Sequence, residues 1–228
     1  MSDERVIALI PAFNAARTIE PVIAGALPHV EKVIVVDDGS RDDSGDVAGR
    51  AGATVLTHAA NRGKGGALKT GFAYVLEHGY DGVVTLDADG QHLPSEIPKI
   101  IAAHRETGAD LVIGGRAHLF HEMLPRRRFA NRFASWAISK GAGTRIDDSQ
   151  SGYRFYSSKL LRSVTLRSEG FDMESEVLVL AGMHKLRIIT IPISLAFVDG
   201  VATSHYKPLS DTLRIFTTAM STRFLRRH

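Results

Sequence analysis

The 228-residue sequence has no cysteine, which excludes a disulfide scaffold, a Cys-based zinc site, an iron–sulfur cluster and a thiol nucleophile, and fits a reducing compartment. It also lacks any uninterrupted apolar run near the roughly 18 residues of a transmembrane helix, because Pro, Gly or a charge breaks every stretch. Asp3 and Glu4 precede a short first apolar run, so no secretory signal is expected and the protein is expected in the cytoplasm. No large surplus of one charge exists. The 28 Lys+Arg against 25 Asp+Glu leave +3, too little to imply a nucleic-acid partner without a concentrated basic patch. Neither the glycine spacing of a P-loop nor the Gly-x-Gly-x-x-Gly fingerprint is found, which weighs against a nicotinamide-dependent oxidoreductase. Internal repeats and low-complexity segments are absent as well. With 44% hydrophobic and 23% charged residues, the chain reads as one soluble globular domain.

What is there is an alternation. Short β-branched runs at 6–10, 33–36, 54–57, 83–86 and 111–113 read as buried strands. Between them, 19–26, 45–51, 67–77 and 96–105 carry apolar residues at three- and four-residue spacing and read as helices. A β-α-β-α series predicts an α/β fold with a mainly parallel central sheet flanked by helices and right-handed crossovers. Beyond Gly115 the pattern loosens. A basic stretch at 125–132 continues as a helix to Ser139, glycines at 141 and 143 break it, and 153–156 looks strand-like. A helix at 174–183, a strand at 186–191 and a terminal helix at 211–226 follow. Residues 1–115 are thus expected to form one half of the domain and 116–228 the other.

Ligands of such sheets sit beyond the carboxyl ends of the strands, and the polar residues gather in those loops. The first reads Pro11-Ala12-Phe13-Asn14 and the second Asp37-Asp38-Gly39-Ser40, where a carboxylate could accept hydrogen bonds from a base or a ribose, or simply shape a turn. After the third strand, Asn61-Arg62-Gly63-Lys64-Gly65-Gly66 could present backbone N–H groups and positive charge to a phosphate, or be a flexible glycine-rich loop. The fourth strand ends in Asp87-Ala88-Asp89-Gly90-Gln91-His92. Two carboxylates so close together are costly unless a cation neutralises them, and oxygen ligands from Asp87, Asp89 and Gln91 suit Mg²⁺ or Mn²⁺ completed by a diphosphate and water. A solvated acidic turn is the bland alternative, and His92 reads as a borderline ligand or a loop histidine.

These segments in this order, Ile-Pro-Ala-Phe-Asn, Val-Val-Asp-Asp-Gly-Ser, Asn-Arg-Gly-Lys-Gly and Asp-Ala-Asp-Gly-Gln-His, resemble the family 2 glycosyltransferases of the GT-A nucleotide-sugar-binding fold. Gly-Gly-Arg at 114–116 and Asp-Ser-Gln-Ser-Gly-Tyr-Arg at 148–154 resemble, within that family, the polyprenyl-phosphate sugar synthases, such as those of the dolichyl-phosphate mannose type. The resemblance covers almost the whole chain. It implies that Pro11, Ala12, Phe13, Asn14, Val36 and Asp38 hold the base and ribose of a nucleotide-sugar, with Lys64 and Ala88 also at the donor. It further implies that Asp87, Asp89 and Gln91 hold a metal and the diphosphate, and that Arg116, with Arg128 or a neighbour, engages the sugar or the acceptor phosphate. Two positions depart from the family pattern. Ala15 stands where a Glu is common, and Val201 precedes Ser204-His205 where some members carry an Arg, leaving His205 or Lys207 as the diphosphate clamp.

The family reaction is an inverting displacement by the acceptor on a nucleotide-sugar. Asp89, Arg116 and Arg128 are the expected catalytic groups. A hydroxyl acceptor needs a base, for which Asp148, Asp172, Glu174 and Glu176 are candidates, although Asp172 with the two glutamates could equally be a helix start. A phosphate acceptor needs cations instead, and Arg126, Arg127, Arg128 and Arg132 fit that need, or form a solvated face. The expected acceptor is a polyprenyl phosphate bound by Arg127, Arg128 and Arg132. A saccharide hydroxyl acceptor, or a nucleotide-sugar-binding module without turnover, are the competing readings. A lipid acceptor would bring the protein to the cytoplasmic face of a membrane as a peripheral partner. The terminal helix, with Leu213, Phe216, Met220 and Phe224 beside several arginines, could supply the contact or pack on the core.

Overall fold

A computed structural model describes residues 4–116, 125–168, 170 and 172–196. The expected helix at 211–226, together with Val201, Ser204, His205 and Lys207, lies outside the described residues, as do the side chains of residues 125–127.

Seven strands among the described residues form one sheet in the order β3-β2-β1-β4-β6-β5-β7. They are β1 (Val6–Ala12), β2 (Lys32–Asp37), β3 (Thr54–Thr57), β4 (Gly82–Thr85), β5 (Leu111–Gly115), β6 (Arg154–Ser157) and β7 (Ile188–Pro192). Only β6 runs antiparallel, to β4 on one side and β5 on the other. The helices are α1 (Ile19–Ala26), α2 (Ser44–Arg50), α3 (Lys64–Glu77), α4 (Ile97–Thr107), α5 (Pro125–Ala142), α6 (Ser158–Ser163) and α7 (Met173–Met183).

Both faces of the sheet are covered, which is why its central strands are continuous apolar runs rather than alternating ones. Ile7, Leu9, Ile34, Val36, Val83 and Tyr156 point to one core with α3, α5, α6 and α7. Their neighbours Ala8, Ile10, Val33, Val35, Val84 and Phe155 point to the other, with α1, α2 and α4. β6 comes from the second half of the chain and lies between β4 and β5 of the first. No helix among the described residues is long and apolar enough to cross a membrane.

Several boundaries differ from those the sequence suggests, each for a local reason. β1 continues through Pro11 and Ala12, which align with Val36 and Asp37 of β2, so the first loop begins only at Phe13. Leu86 falls outside β4, while β7 starts at Ile188 and includes Pro192. α3 begins at Lys64 rather than 67, entered through Gly63 at φ +82°, a conformation that favours glycine. The glycine-rich segment is therefore mostly the first turn of a helix. α5 runs past the expected break at Gly141 and ends before Gly143, whose φ of +72° terminates it. α6 has no counterpart in the apolar pattern, and Ser157 starts it by accepting a hydrogen bond from the Leu160 N–H at 3.1 Å.

Candidate active site

The parallel strands β1, β2, β4 and β5 bring their carboxyl ends to one edge of the sheet, and antiparallel β6 brings its amino end there. In register, Thr85 of β4 and Ile113 of β5 both face Arg154, so the loop at 148–153 lies beside the acidic loop after β4 and Arg116 after β5. The side chains there are organised by three buried or half-buried carboxylates and their donors.

The first joins three distant segments. Lys64, at the start of α3, places its ammonium 2.7 Å from Asp87 Oδ1 and 3.3 Å from Glu174 Oε2 of α7. Burial alone would lower the pKa of this lysine, but Asp87 and then Glu174 outweigh it and keep it charged. Burial would likewise raise Asp87, yet Lys64 and other nearby cationic groups hold it well below the usual carboxylate range. Gly152 passes directly over this cluster. A Cβ there would stand 2.6 Å from Lys64 Nζ, 3.2 Å from Asp87 Oδ2 and 3.3 Å from Glu174 Oε1.

In the second, Asp148 is fully buried and grips Arg116 three times, accepting from its Nε at 2.9 Å, its Nη2 at 3.2 Å and its backbone N–H at 2.9 Å. Burial would raise Asp148, but this fork of donors lowers it. Arg116 also lies in the field of Asp87 and Glu174, so its guanidinium belongs to the same electrostatic site.

The third ties down the glycine-rich turn. Asp38 Oδ1 accepts from the Arg62 N–H at 2.9 Å and Oδ2 from the Gly63 N–H at 2.8 Å, with His58 Nδ1 2.6 Å away. Asp38 is thus buried beneath the start of α3, while Asp37 closes its own turn by accepting from the Ser40 N–H at 3.0 Å. The first loop is stitched to the second. Asn14, at φ +52°, accepts from the Arg41 N–H at 2.9 Å and donates its own N–H to Ser40 Oγ at 3.0 Å. Ala15 N–H reaches Ser44 Oγ at 2.7 Å, and Phe13 is left exposed on the rim.

Both members of the acidic pair are half-buried, and Asp89 Oδ1 accepts one turn bond, from the Gln91 N–H at 2.9 Å, around Gly90 at φ +78°. His92 is a buried loop histidine. Its Nδ1 accepts the Asp87 N–H at 3.0 Å, its ring lies 4.9 Å from that of Tyr153, and burial lowers its pKa, favouring the neutral form. Among the described residues no group of three or more His, Asp or Glu is preassembled as a metal site. The protein offers instead two carboxylates and the Gln91 amide, an all-oxygen set suited to a hard divalent ion that brings diphosphate oxygens and water with it.

The residues expected at the donor, from Pro11 through Asn14, Val36, Asp38, Lys64, Asp87, Ala88 and Asp89, all lie at this sheet edge, on strand ends β1, β2 and β4 and the start of α3. Arg128 and Arg132 are exposed on α5. Three residues have a structural part that sequence reasoning misses. Asp148 and Glu174 are candidate bases by residue type, but they hold Arg116 and Lys64. Arg154 is fully buried, donating from Nε to the Ser151 carbonyl at 2.7 Å, from Nη1 to that of Glu174 at 2.8 Å and from Nη2 to that of Ser149 at 2.8 Å. Its signal is an arginine inside the apolar run Tyr153-Arg-Phe-Tyr, which demands buried acceptors. α7 starts after Asp172 as expected, but no side-chain cap bond from Asp172 is formed, and Glu176 instead accepts N–H groups of Arg167 and Ser168.

Comparison with known proteins agrees with this architecture. The profile of Glycosyl transferase family 2 matches residues 7–166, and the chain belongs to that family. Its relatives include the undecaprenyl-phosphate mannosyltransferase of Micrococcus luteus, 35% identical with 83% of each protein covered. Another is the UDP-N-acetylglucosamine–dolichyl-phosphate N-acetylglucosaminyltransferase of Methanococcus voltae, 30% identical over 87% of this chain and 88% of that one. In structure the chain is similar to glucosyl-3-phosphoglycerate synthase of Mycobacterium tuberculosis, solved with Mn²⁺, UDP and phosphoglyceric acid. The TM-score is 0.71 at 24% identity, with 98% of this chain and 80% of that one covered. The fold is therefore GT-A, and the protein is a glycosyltransferase with polyprenyl-phosphate sugar transferases among its homologues.

Proposed function

We propose that the protein moves a sugar from a UDP- or GDP-linked donor to a polyprenyl phosphate at the cytoplasmic surface of a membrane, with inversion and with dependence on Mg²⁺ or Mn²⁺. The observation that carries the choice of acceptor is that the carboxylates eligible as a base are committed or buried. Asp148 is locked on Arg116, Glu174 on Lys64 and Glu176 on two backbone N–H groups, while Asp172 is buried. A hydroxyl would have to lose its proton to such a base, whereas a phosphate monoester, with a second pKa of about 6, arrives largely ionised and needs only positioning cations.

In this reading an oxygen of the acceptor phosphate attacks the anomeric carbon. The bond from that carbon to the donor diphosphate breaks, and the electron pair leaves with the nucleoside diphosphate. Arg116, fixed by the Asp148 fork, and Arg128, Arg127 and Arg132 of α5 hold the incoming phosphate. The loops after β1 and β2 hold the nucleoside, with His205 or Lys207 closing on the diphosphate. Asp89, Asp87 and Gln91 would hold the divalent ion, which when bound supplies charge stabilisation to the leaving diphosphate. The names of the relatives support the lipid-phosphate acceptor, and the all-oxygen acidic loop supports the metal.

The test is incubation with labelled UDP- and GDP-sugars, Mg²⁺ or Mn²⁺, and either a short-chain polyprenyl phosphate or an oligosaccharide. Label recovered on the lipid phosphate is expected, with Arg128→Ala retaining donor binding while losing transfer. Label recovered on the saccharide alone, or donor binding with no transfer to either acceptor, would overturn the proposal.

A further inference from the structure

Lys64 stands among carboxylates as a bound cation would. It opens α3, directly after the turn at Gly63, and its ammonium lies between the acidic loop and α7, 2.7 Å from Asp87 Oδ1 and 3.3 Å from Glu174 Oε2. The other oxygen of each carboxylate is left over. Glu174 Oε1 is buried and accepts no hydrogen bond among the described residues. Asp87 Oδ2 has His92 Nδ1 at 3.7 Å, but that nitrogen already accepts the Asp87 N–H and so has no proton to give. Both spare oxygens face one small gap. A Cβ on Gly152 would stand 3.2 Å from Asp87 Oδ2, 3.3 Å from Glu174 Oε1 and 2.6 Å from Lys64 Nζ, so the absence of a side chain there leaves the three groups converging.

An ammonium and a hard divalent ion compete for the same carboxylate oxygens. Lys64 and Asp87 are only half-buried, and Asp89 stands two residues further along the same loop with a single turn amide on its carboxylate. While the ammonium holds Asp87, the loop has one unpaired carboxylate and the Gln91 amide to offer. That set holds a hydrated divalent ion weakly. The charge of Lys64, with Arg116 in the same field, further opposes a bare ion. A nucleoside diphosphate changes both terms, because its oxygens add ligands and its negative charge offsets the two cations.

We propose that Lys64 is a placeholder cation, which keeps bare divalent ions off the acidic loop by occupying Asp87, so that an ion is gained together with a nucleoside diphosphate. The proposal rests on the reading of this loop as the metal and diphosphate site, and adds to it an order of binding. It also accounts for the second carboxylate. An ammonium displaced from Asp87 keeps its contact with Glu174, so no buried positive charge is stranded when Asp87 changes partner. The framework role of Lys64 and its part in donor binding are then two states of one side chain.

Mn²⁺ is the probe, with binding read by titration calorimetry and by the EPR signal of the free ion, neither of which needs turnover. Wild type is expected to bind Mn²⁺ alone at least about tenfold more weakly than Mn²⁺ with UDP or GDP, a comparison that needs no variant. Lys64→Met should bind Mn²⁺ alone about tenfold more tightly than wild type does, and Mn²⁺ should raise its melting temperature more. Lys64→Arg, which keeps the charge, should bind the bare ion as weakly as wild type. Adding Asp89→Ala to Lys64→Met should abolish the gain, which locates the ion on the acidic loop. Tight binding of Mn²⁺ to wild type without nucleotide would overturn the proposal, and so would a Lys64→Met protein that binds the bare ion no better than wild type. If neither nucleotide promotes Mn²⁺ binding to wild type while Lys64→Met still gains it, the diphosphate reading of the loop fails and Lys64 still keeps bare ions off it.

Discussion

Lys64 is the centre of the best-defined charge cluster, and its replacement by methionine separates a structural ammonium from a dispensable one. The substitution keeps most of the side-chain volume and takes away the ammonium that contacts both Asp87 and Glu174, leaving Arg116 as a remaining cation in their field. Breaking a buried ion pair by removing one partner costs about 3–5 kcal/mol. Here the Lys64, Asp87 and Glu174 side chains are 18%, 31% and 11% exposed, so water relaxes part of the penalty. We therefore expect about 2–3 kcal/mol, at or just below the bottom of that range. For a protein of this size each kcal/mol moves Tm by about 2–4 °C, which gives a fall of about 4–12 °C by calorimetry. Adding Glu174→Gln to Lys64→Met removes one of the two stranded charges and should recover part of the loss, so the double mutant should melt above the single one. If Lys64→Met melts within a degree of wild type, or the second substitution makes it worse, the cluster is not held by charge pairing and Lys64 is not what keeps Asp87 ionised.

Three further outcomes follow from the same geometry. Asp148 has a folded pKa below its unfolded value of about 3.9, so the stability it contributes is complete above that pH and is lost as pH falls through and below it. Asp148→Asn should accordingly cost about 3–5 kcal/mol at pH 7 and progressively less below pH ~4, whereas denaturant curves for the two proteins that stay parallel with pH would refute the Arg116 pairing. Gly152→Ala should destabilise by about 1–3 kcal/mol because its new methyl group meets the Lys64 ammonium, and the effect should shrink in a Lys64→Ala background; an equal cost in both backgrounds would place the clash elsewhere. Asp89→Ala should fold normally, losing a single turn hydrogen bond worth about 1 kcal/mol, yet titration calorimetry with UDP- and GDP-sugars should show no Mn²⁺-dependent binding; retained metal dependence would assign that role to another residue.

How much of the molecule is legible in its sequence depends on how local the cause is. β1 and β2 are buried on both faces and α1 and α4 carry an apolar stripe, so their runs and periods show through to within a few residues. The loops after β1, β2 and β4 are legible for the same reason, since strand exits in a parallel sheet converge wherever the strands are correctly placed. Pairing across the chain is not. Nothing near Glu174 announces Lys64, and nothing near Asp148 announces Arg116, because those contacts exist only once β6 has inserted between β4 and β5. Gly63 illustrates a middle case. Its turn is recognisable, but the start of α3 three residues earlier than its apolar pattern suggests is fixed by Asp38 accepting the Arg62 and Gly63 N–H groups. The orientation of α5 is hidden for a different reason, because its apolar residues alone do not say that Phe129, Phe133 and Trp136 stay exposed while Ala134 and Ile138 turn to the core.

The division of labour within the acidic loop follows from counting where each carboxylate's charge is already answered. Asp38 is beside His58 and two N–H donors, Asp148 is held by Arg116 and Asp87 by Lys64, so each of these is part of the frame. Asp89, half-buried like Asp87, differs in having one turn amide and no cation within salt-bridge reach among the described residues. A carboxylate kept partly desolvated without a protein counter-ion is poised to take an external one, and it stands two residues beyond a neighbour whose ionised state Lys64 secures. Asp87 and Asp89 therefore need not contribute equally to binding a donor with its metal. Removing Asp87 frees Lys64 and disturbs the framework, so its effect on catalysis will be mixed with an effect on stability. Removing Asp89 touches little of the frame, so its loss isolates the chemistry.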